Sequence, residues 1–183
     1  MKVTITPGKI RGTVNAPASK SDMQRACAAA LLAGGRTVLH NPGFSDDDLA
    51  ALETIQLLGA RVTANYTCQP NQEDSMAGNS KEIIIESDGL NTVASTINCG
   101  ESGLGIRMFT PIASLADQQL TLTGTGSLLN RPMNFFDQIL PQLGVSFESS
   151  NGNLPLKVKG PLQPRDIEID GSLSSQFLTG LMM

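Results

Sequence analysis

Apolar residues at 49, 52, 55 and 58 recur at helical spacing behind a polar start, Ser45-Asp46-Asp47-Asp48. The pattern predicts a helix capped by Ser45, with Asp48 reaching back to complete a capping box, and closed at Leu58-Gly59. The acidic run reads as charge complementing the helix dipole. Upstream, an Ala-rich stretch predicts a helix over 21–33, with Ser21 as N-cap, Asp22 in the first turn and Gly34-Gly35 as the stop. Beyond Arg25 it is nearly all apolar, which predicts burial on most sides. Short runs bounded by turn residues predict strands over 2–7, 10–15, 36–41, 61–67 and, most strongly, 82–87 (EIIIES). The stretch 69–80 is polar and rich in Gly and Asn, which predicts a surface loop.

The same order then returns. Ser102-Gly103 opens a predicted helix to about residue 115, and 119–124 read as a strand. Asn130 is placed as the cap of a helix carrying Phe136, Ile139, Leu140 and Leu143, which Pro141 should kink or end early. Strands over 145–149 and 154–159 flank an Asn151-Gly152-Asn153 turn. Leu58-Gly59-Ala60 stands 85 positions before Leu143-Gly144-Val145, and both Leu32–Leu115 and Gly43–Gly126 are 83 apart. These offsets describe an internal repeat of units of roughly βαβαββ order, an α/β (α+β) protein. A third unit starts at Ile167 with a short strand and an apolar helix. That helix reaches Met183 without a stop signal, so the expectation is that the 183 residues belong to a longer chain.

Composition narrows the function. Aromatics make up 4% of the chain, with no Trp and one Tyr, which weighs against a base-stacking nucleic-acid platform. A net charge of −4 weighs against a general polyanion binder but leaves room for a local basic pocket. Cys27, Cys68 and Cys99 are an odd set without a CxxC pair, which suits a reducing, cytoplasmic setting. His40 is the single histidine and reads as a strand residue, so neither a zinc site nor a His-dependent triad is expected. No signal-peptide core is evident, and the longest apolar run, 26–33, is too short for a membrane span.

Candidate chemistry gathers where helices begin. Ser19-Lys20-Ser21, Gly100-Glu101-Ser102-Gly103 and Ser172-Leu173-Ser174-Ser175 each precede or open a predicted helix. Taken singly, such serines are ordinary caps. Taken together, three N-termini with free N–H groups can converge on one multiply anionic ligand. Lys20 and Arg25 lie about a turn apart and can face that ligand. Arg131 stands before Pro132 at an expected helix start, where a cation is unfavourable unless an anion is present.

Pro17 to Arg25 (PASKSDMQR), Ser45-Asp46-Asp47 with Leu58-Gly59 thirteen residues past Ser45, Arg131-Pro132-Met133, and Asp170 to Met182 (DGSLSSQFLTGLM) resemble the EPSP synthase family, the 3-phosphoshikimate 1-carboxyvinyltransferases. The resemblance runs the length of the chain in order. It implies the enolpyruvyl transferase fold of two domains, each of three βαβαββ units. Residues 1–17 would then supply strands to one domain, and 18–183 would form about two and a half units of the other. It implies transfer of the enolpyruvyl group of phosphoenolpyruvate to the 5-hydroxyl of shikimate 3-phosphate with release of phosphate. The route is addition and elimination, without metal or cofactor, in a cytoplasmic monomer. Acid–base residues of the family lie outside the matched region, so this chain alone is expected to be inactive.

By position the resemblance assigns Lys20 to phosphoenolpyruvate and the reacting hydroxyl, and Ser21 and Arg25 to the shikimate carboxylate. It assigns Ser174 and Ser175 to the phosphate of shikimate 3-phosphate, and Gln176 to the ring and phosphoenolpyruvate. Arg131 and Gly103 fall to phosphoenolpyruvate. One motif departs: the family's usual Asn-[Ala/Ser]-Gly-Thr reads Glu101-Ser102-Gly103-Leu104 here. UDP-N-acetylglucosamine enolpyruvyl transferase, with the same fold and reaction type, and a non-catalytic anion-binding paralogue stand as alternatives.

Overall fold

The computed structural model describes residues 3, 4, 6–9, 11–14, 16–66, 81–172 and 174–183. Cys68, the loop expected over 69–80 and Leu173 lie outside the described residues.

The first unit consists of α1 (Lys20–Ala33), β1 (Gly35–His40), α2 (Asp46–Leu57), β2 (Arg61–Tyr66) and β3 (Lys81–Ser87). The second consists of β4 (Thr96–Asn98), α3 (Gly103–Ala113), β5 (Leu120–Thr123), α4 (Asn134–Ile139), β6 (Ser146–Ser150) and β7 (Asn153–Lys159). A last helix, α5 (Ser175–Leu181), follows. The sheets have orders β1-β3-β2 and β4-β5-β7-β6. The triplet β5-β7-β6 repeats β1-β3-β2 strand for strand, with antiparallel pairs in both, and α1 and α3 open 83 positions apart, at Lys20 and Gly103. The repeat legible in the sequence is thus a repeat of topology.

The units differ at their first strand. In the second, β4 runs parallel to β5, with Thr96 beside Thr121 and Asn98 beside Thr123, and α3 makes the crossover. In the first, the described residues between 3 and 17 form no strand and are all exposed, against the expectation of strands over 2–7 and 10–15. A strand needs a neighbour to satisfy its backbone, and none reaches this segment among the described residues. The strand expected at 167 is likewise absent, whereas the three-residue β4 was not foreseen.

Helices α1, α2 and α3 pack on one another between the sheets, with α1 against β1 and β3, α2 against β2 and β4, and α3 against β5. One continuous apolar core results, from Leu31 and Ile85 through Ile106 and Phe109 to Leu122 and Phe136. The enclosed helix is α3 rather than α1: ten of its eleven residues are buried, whereas Ala29 and Ala33 of α1 are exposed. On α2, Leu52, Ile55 and Leu58 are buried, but Leu49 stays 48% exposed. Gly180 lets α5 lie directly on α3, because a Cβ there would meet the Met108 carbonyl.

Two caps depart from expectation. Ser19, not Ser21, caps α1, its hydroxyl accepting from the Asp22 N–H at 3.3 Å, so the Ser21 side chain stays uncommitted to capping. The capping box of Ser45 and Asp48 on α2 forms as predicted. Asn130 caps no helix: residues Gly126–Asn130 form a 3-10 turn, and α4 begins only at Asn134. Pro132 excludes helical geometry at Arg131, which is extended at φ −87° and ψ 133°. Pro141 ends α4 at Ile139, and a 3-10 turn over Leu140–Leu143 replaces the continuing helix.

Candidate functional site

The carboxyl ends of parallel strands are where open sheets leave room for ligands. Here β4 leads into Gly100-Glu101-Ser102 and α3, while β5 leads into the Gly126–Asn130 turn. The Thr125 N–H donates to the Gly100 carbonyl at 2.8 Å, fastening the two exits together. A cleft of about 460 Å³ opens beside them. Lys20, Ser21 and Gln24 line it from α1, Asp47 from α2, Gly103 and Leu104 from α3, Glu101, Ser127 and Arg131 from the two exits, and Gln176 from α5.

The N-termini of α1 and α3 face this space, and their first-turn N–H groups have no acceptor within the helix. Ser102 caps α3, accepting from the Gly105 N–H at 2.9 Å and donating to the Gln24 side-chain carbonyl at 2.8 Å. Lys20 Nζ lies 2.7 Å from a carboxylate oxygen of Asp47, whose side chain is only 17% exposed. Asp47 therefore does more than complement a dipole. Arg131 rests its guanidinium against Gly103, where a Cβ would displace it, and Nη2 donates to Ser127 Oγ at 3.3 Å.

Arg107, one turn into α3, is nearby. Its Nη1 donates to Gln176 Oε1 at 2.8 Å, and its guanidinium lies 4.7 Å above the Phe177 ring. Burial first, and then the neighbouring charge of Arg131, lower its pKa from the usual arginine value. Its Nε is buried and unbonded. Neither Arg107 nor Arg131 forms an ion pair with a carboxylate among the described residues. Two adjacent cations with no directly paired carboxylate repel, and an anion placed between them relieves that repulsion.

Of the residues singled out in the sequence, Lys20, Ser21, Gly103, Arg131 and Gln176 share the cleft. Ser174 caps α5 and lines an adjoining cleft of about 270 Å³ with Arg107, Asn134 and Phe177; Gln176 belongs to both clefts. Arg25 and Ser175 line neither. Arg25 turns back along its own helix, donating to the Ser21 carbonyl at 3.3 Å. Five residues place it well round the helix from Lys20, so the two do not flank one space. Sequence reasoning missed Gln24, Asp47 and Ser127 as part of the site. The one signal for Ser127 was its place in the loop before Arg131.

Glu101 neither pairs with an arginine nor caps α3. Its carboxylate accepts from the Ser127 N–H and Oγ, both at 3.1 Å, and so caps the 3-10 turn, whose own N-cap Thr125 makes no side-chain bond. His40, on exposed β1, lies 2.9 Å from Glu82 and takes no part in the site. Cys27 and Cys99 are free and buried, and burial pushes both thiols up to about 12. Among the described residues no helix is long and apolar enough to cross a membrane.

A repeated α/β scaffold with the α1 and α3 N-termini, Lys20 and Arg131 gathered at one polar cleft has the enolpyruvyl transferase fold. The sequence profile of the EPSP synthase (3-phosphoshikimate 1-carboxyvinyltransferase) family matches residues 5–183, and the chain belongs to that family. It is 33% identical over 183 residues to the 3-phosphoshikimate 1-carboxyvinyltransferase of Clostridium novyi (strain NT), the match covering 98% of this chain and 40% of that protein. It is 36% identical over 183 residues to that of Methanocorpusculum labreanum, covering 100% of this chain and 41% of the relative. The EPSP synthase structure from Acinetobacter baumannii superposes with a TM-score of 0.73 at 25% identity, over 92% of this chain and 37% of that one. The chain thus spans about two fifths of the length of these relatives.

Proposed function

We propose that this chain forms one wall of the active site of a 3-phosphoshikimate 1-carboxyvinyltransferase. The whole enzyme moves the enolpyruvyl group of phosphoenolpyruvate to the 5-hydroxyl of shikimate 3-phosphate and releases phosphate. The observation that carries this reading is the pairing of Lys20 and Arg131 with the α1 and α3 N-termini in one cleft of a net-acidic chain. Fixed positive charge of this kind brings together two anions that would otherwise repel.

Lys20 is assigned to phosphoenolpyruvate and the reacting hydroxyl, and Arg131, the α3 N-terminus at Gly103, and Gln176 to phosphoenolpyruvate. Ser21 and Arg25 are assigned to the shikimate carboxylate, and Ser174, Ser175 and Gln176 to the phosphorylated ring. Arg25 must swing from its own helix to take that part, since it donates to the Ser21 carbonyl here. The adjoining Ser174 cleft, joined to the main one by Gln176, supports two neighbouring anion positions. The enzyme acts as a cytoplasmic monomer; buried free thiols suit a reducing compartment.

Titration of the chain with each substrate, followed by amide NMR, tests the reading. Shifts should concentrate at residues 20, 21, 103, 104 and 176, and Lys20→Ala should remove them without unfolding the chain. Shifts confined to another face would overturn the site assignment. Phosphate release from both substrates by this chain alone would overturn the one-wall proposal.

A further inference from the structure

A carboxylate at the edge of an anion cleft is unfavourable by charge alone, yet Glu101 lines the same cleft as Lys20 and Arg131. The surrounding backbone accommodates it closely. Gly126, at φ +54°, passes so near the Glu101 carboxylate that any Cβ would overlap it. The Ser127 N–H and Oγ both donate to Glu101 Oε2 at 3.1 Å. A serine hydroxyl has one proton to give and lone pairs to receive. With its proton committed to Glu101, Ser127 Oγ turns a lone pair outward, where Arg131 Nη2 donates to it at 3.3 Å. The direction of the relay is therefore fixed: guanidinium to hydroxyl to carboxylate.

We propose that Glu101 is a positioning residue that holds the Arg131 guanidinium at the mouth of α3 through the Ser127 hydroxyl. Arg131, held extended by the following Pro132, makes no ion pair among the described residues, and Ser127 is its one side-chain hydrogen-bond partner there. The carboxylate polarises the hydroxyl and strengthens its acceptance from Arg131. It also leaves the guanidinium free of direct neutralisation, so the cation keeps its charge for the ligand. That the ligand is phosphoenolpyruvate rests on the function proposed above; the positioning itself does not.

Two measurements on the 183-residue chain separate these claims. Side-chain nitrogen NMR of Arg131 reports rotation of its guanidinium. Rotation should be hindered in the parent, free in Glu101→Ala and Ser127→Ala, and hindered again in Glu101→Gln, whose amide oxygen still accepts. Affinity for phosphoenolpyruvate should fall about five- to tenfold in either alanine variant, no further in the double variant, and stay within about threefold of the parent in Glu101→Gln. Unchanged Arg131 rotation in both alanine variants overturns the positioning role. So does tighter phosphoenolpyruvate binding in Glu101→Ala and Glu101→Gln alike, which is the signature of simple repulsion. If the parent binds no phosphoenolpyruvate, the proposed function fails, and the Arg131 signal still decides the positioning. Ser127→Ala, at an exposed residue, keeps the test informative should Glu101→Ala unfold.

Discussion

The Ser102 hydroxyl, fully enclosed, donates to the Gln24 side chain at 2.8 Å while capping its own helix, and so ties the N-terminus of α3 to the body of α1. Two functions meet in one oxygen. Ser102→Ala removes the cap and leaves the Gln24 carbonyl oxygen buried without its donor. The expected loss is about 2–4 kcal/mol, combining a cap of about 1 kcal/mol with an unsatisfied buried group of about 1–3 kcal/mol. Urea unfolding of the variant checks this; a loss under about 1 kcal/mol would show that water replaces the bond.

Gly103→Ala should act on binding rather than on folding. The added methyl meets the Arg131 guanidinium, the far end of a flexible side chain, which moves aside at little cost. Stability should change by less than about 1 kcal/mol, while affinity for a phosphorylated ligand falls several-fold as Arg131 leaves its place. Calorimetric titration alongside a thermal melt distinguishes the two effects.

Gly180→Ala should do the reverse. Its methyl meets the Met108 carbonyl of α3, which is backbone and cannot yield. The helix α5 should lift from α3, at a cost of about 1–3 kcal/mol, and take Gln176 away from Arg107. Faster amide exchange over residues 175–181, with β1–β3 unchanged, is the expected result.

The buried thiols give an alkaline signature. Folding raises the Cys27 and Cys99 thiols from their ordinary value of 9.0 to about 12, because burial disfavours the thiolate. Below pH 9 both states hold the proton and the contribution of the two thiols is complete. Between 9 and 12 only the unfolded chain releases protons, so stability falls as pH rises through that window. Denaturant midpoints of the parent and of Cys27→Ala/Cys99→Ala across pH 8 to 10.5 check it; the parent should lose stability more steeply with pH.

The elements that the sequence displayed clearly are those whose neighbours lie close by along the chain. The capping box at Ser45 and Asp48 and the isoleucine run of the strand at 82–87 are local signals, and both appear as read. What stayed hidden depends on distant partners. Thr96–Asn98 is a strand only because Leu120–Thr123 lies beside it. The segment before Pro17 has strand-like alternation but no partner among the described residues. At the site, Lys20 and Arg131 stood out as cations in unusual places. Gln24, Ser127 and Asp47 did not, because a glutamine, a serine and a helix-start aspartate are unremarkable until the fold sets them around one space.

The enclosure of α3 also governs how the chain emerges from the ribosome. This apolar helix is walled by α1 and α2, made before it, and by β5 and α5, made after it. Roughly sixty residues separate its end from the start of α5. At about 5–20 residues per second, the flank at Met108, on which Gly180 of α5 lies, therefore stays open for several seconds of synthesis. A nascent chain halted in that interval presents this flank of α3 with its cover not yet made, which makes the arrival of α5 the step that closes it.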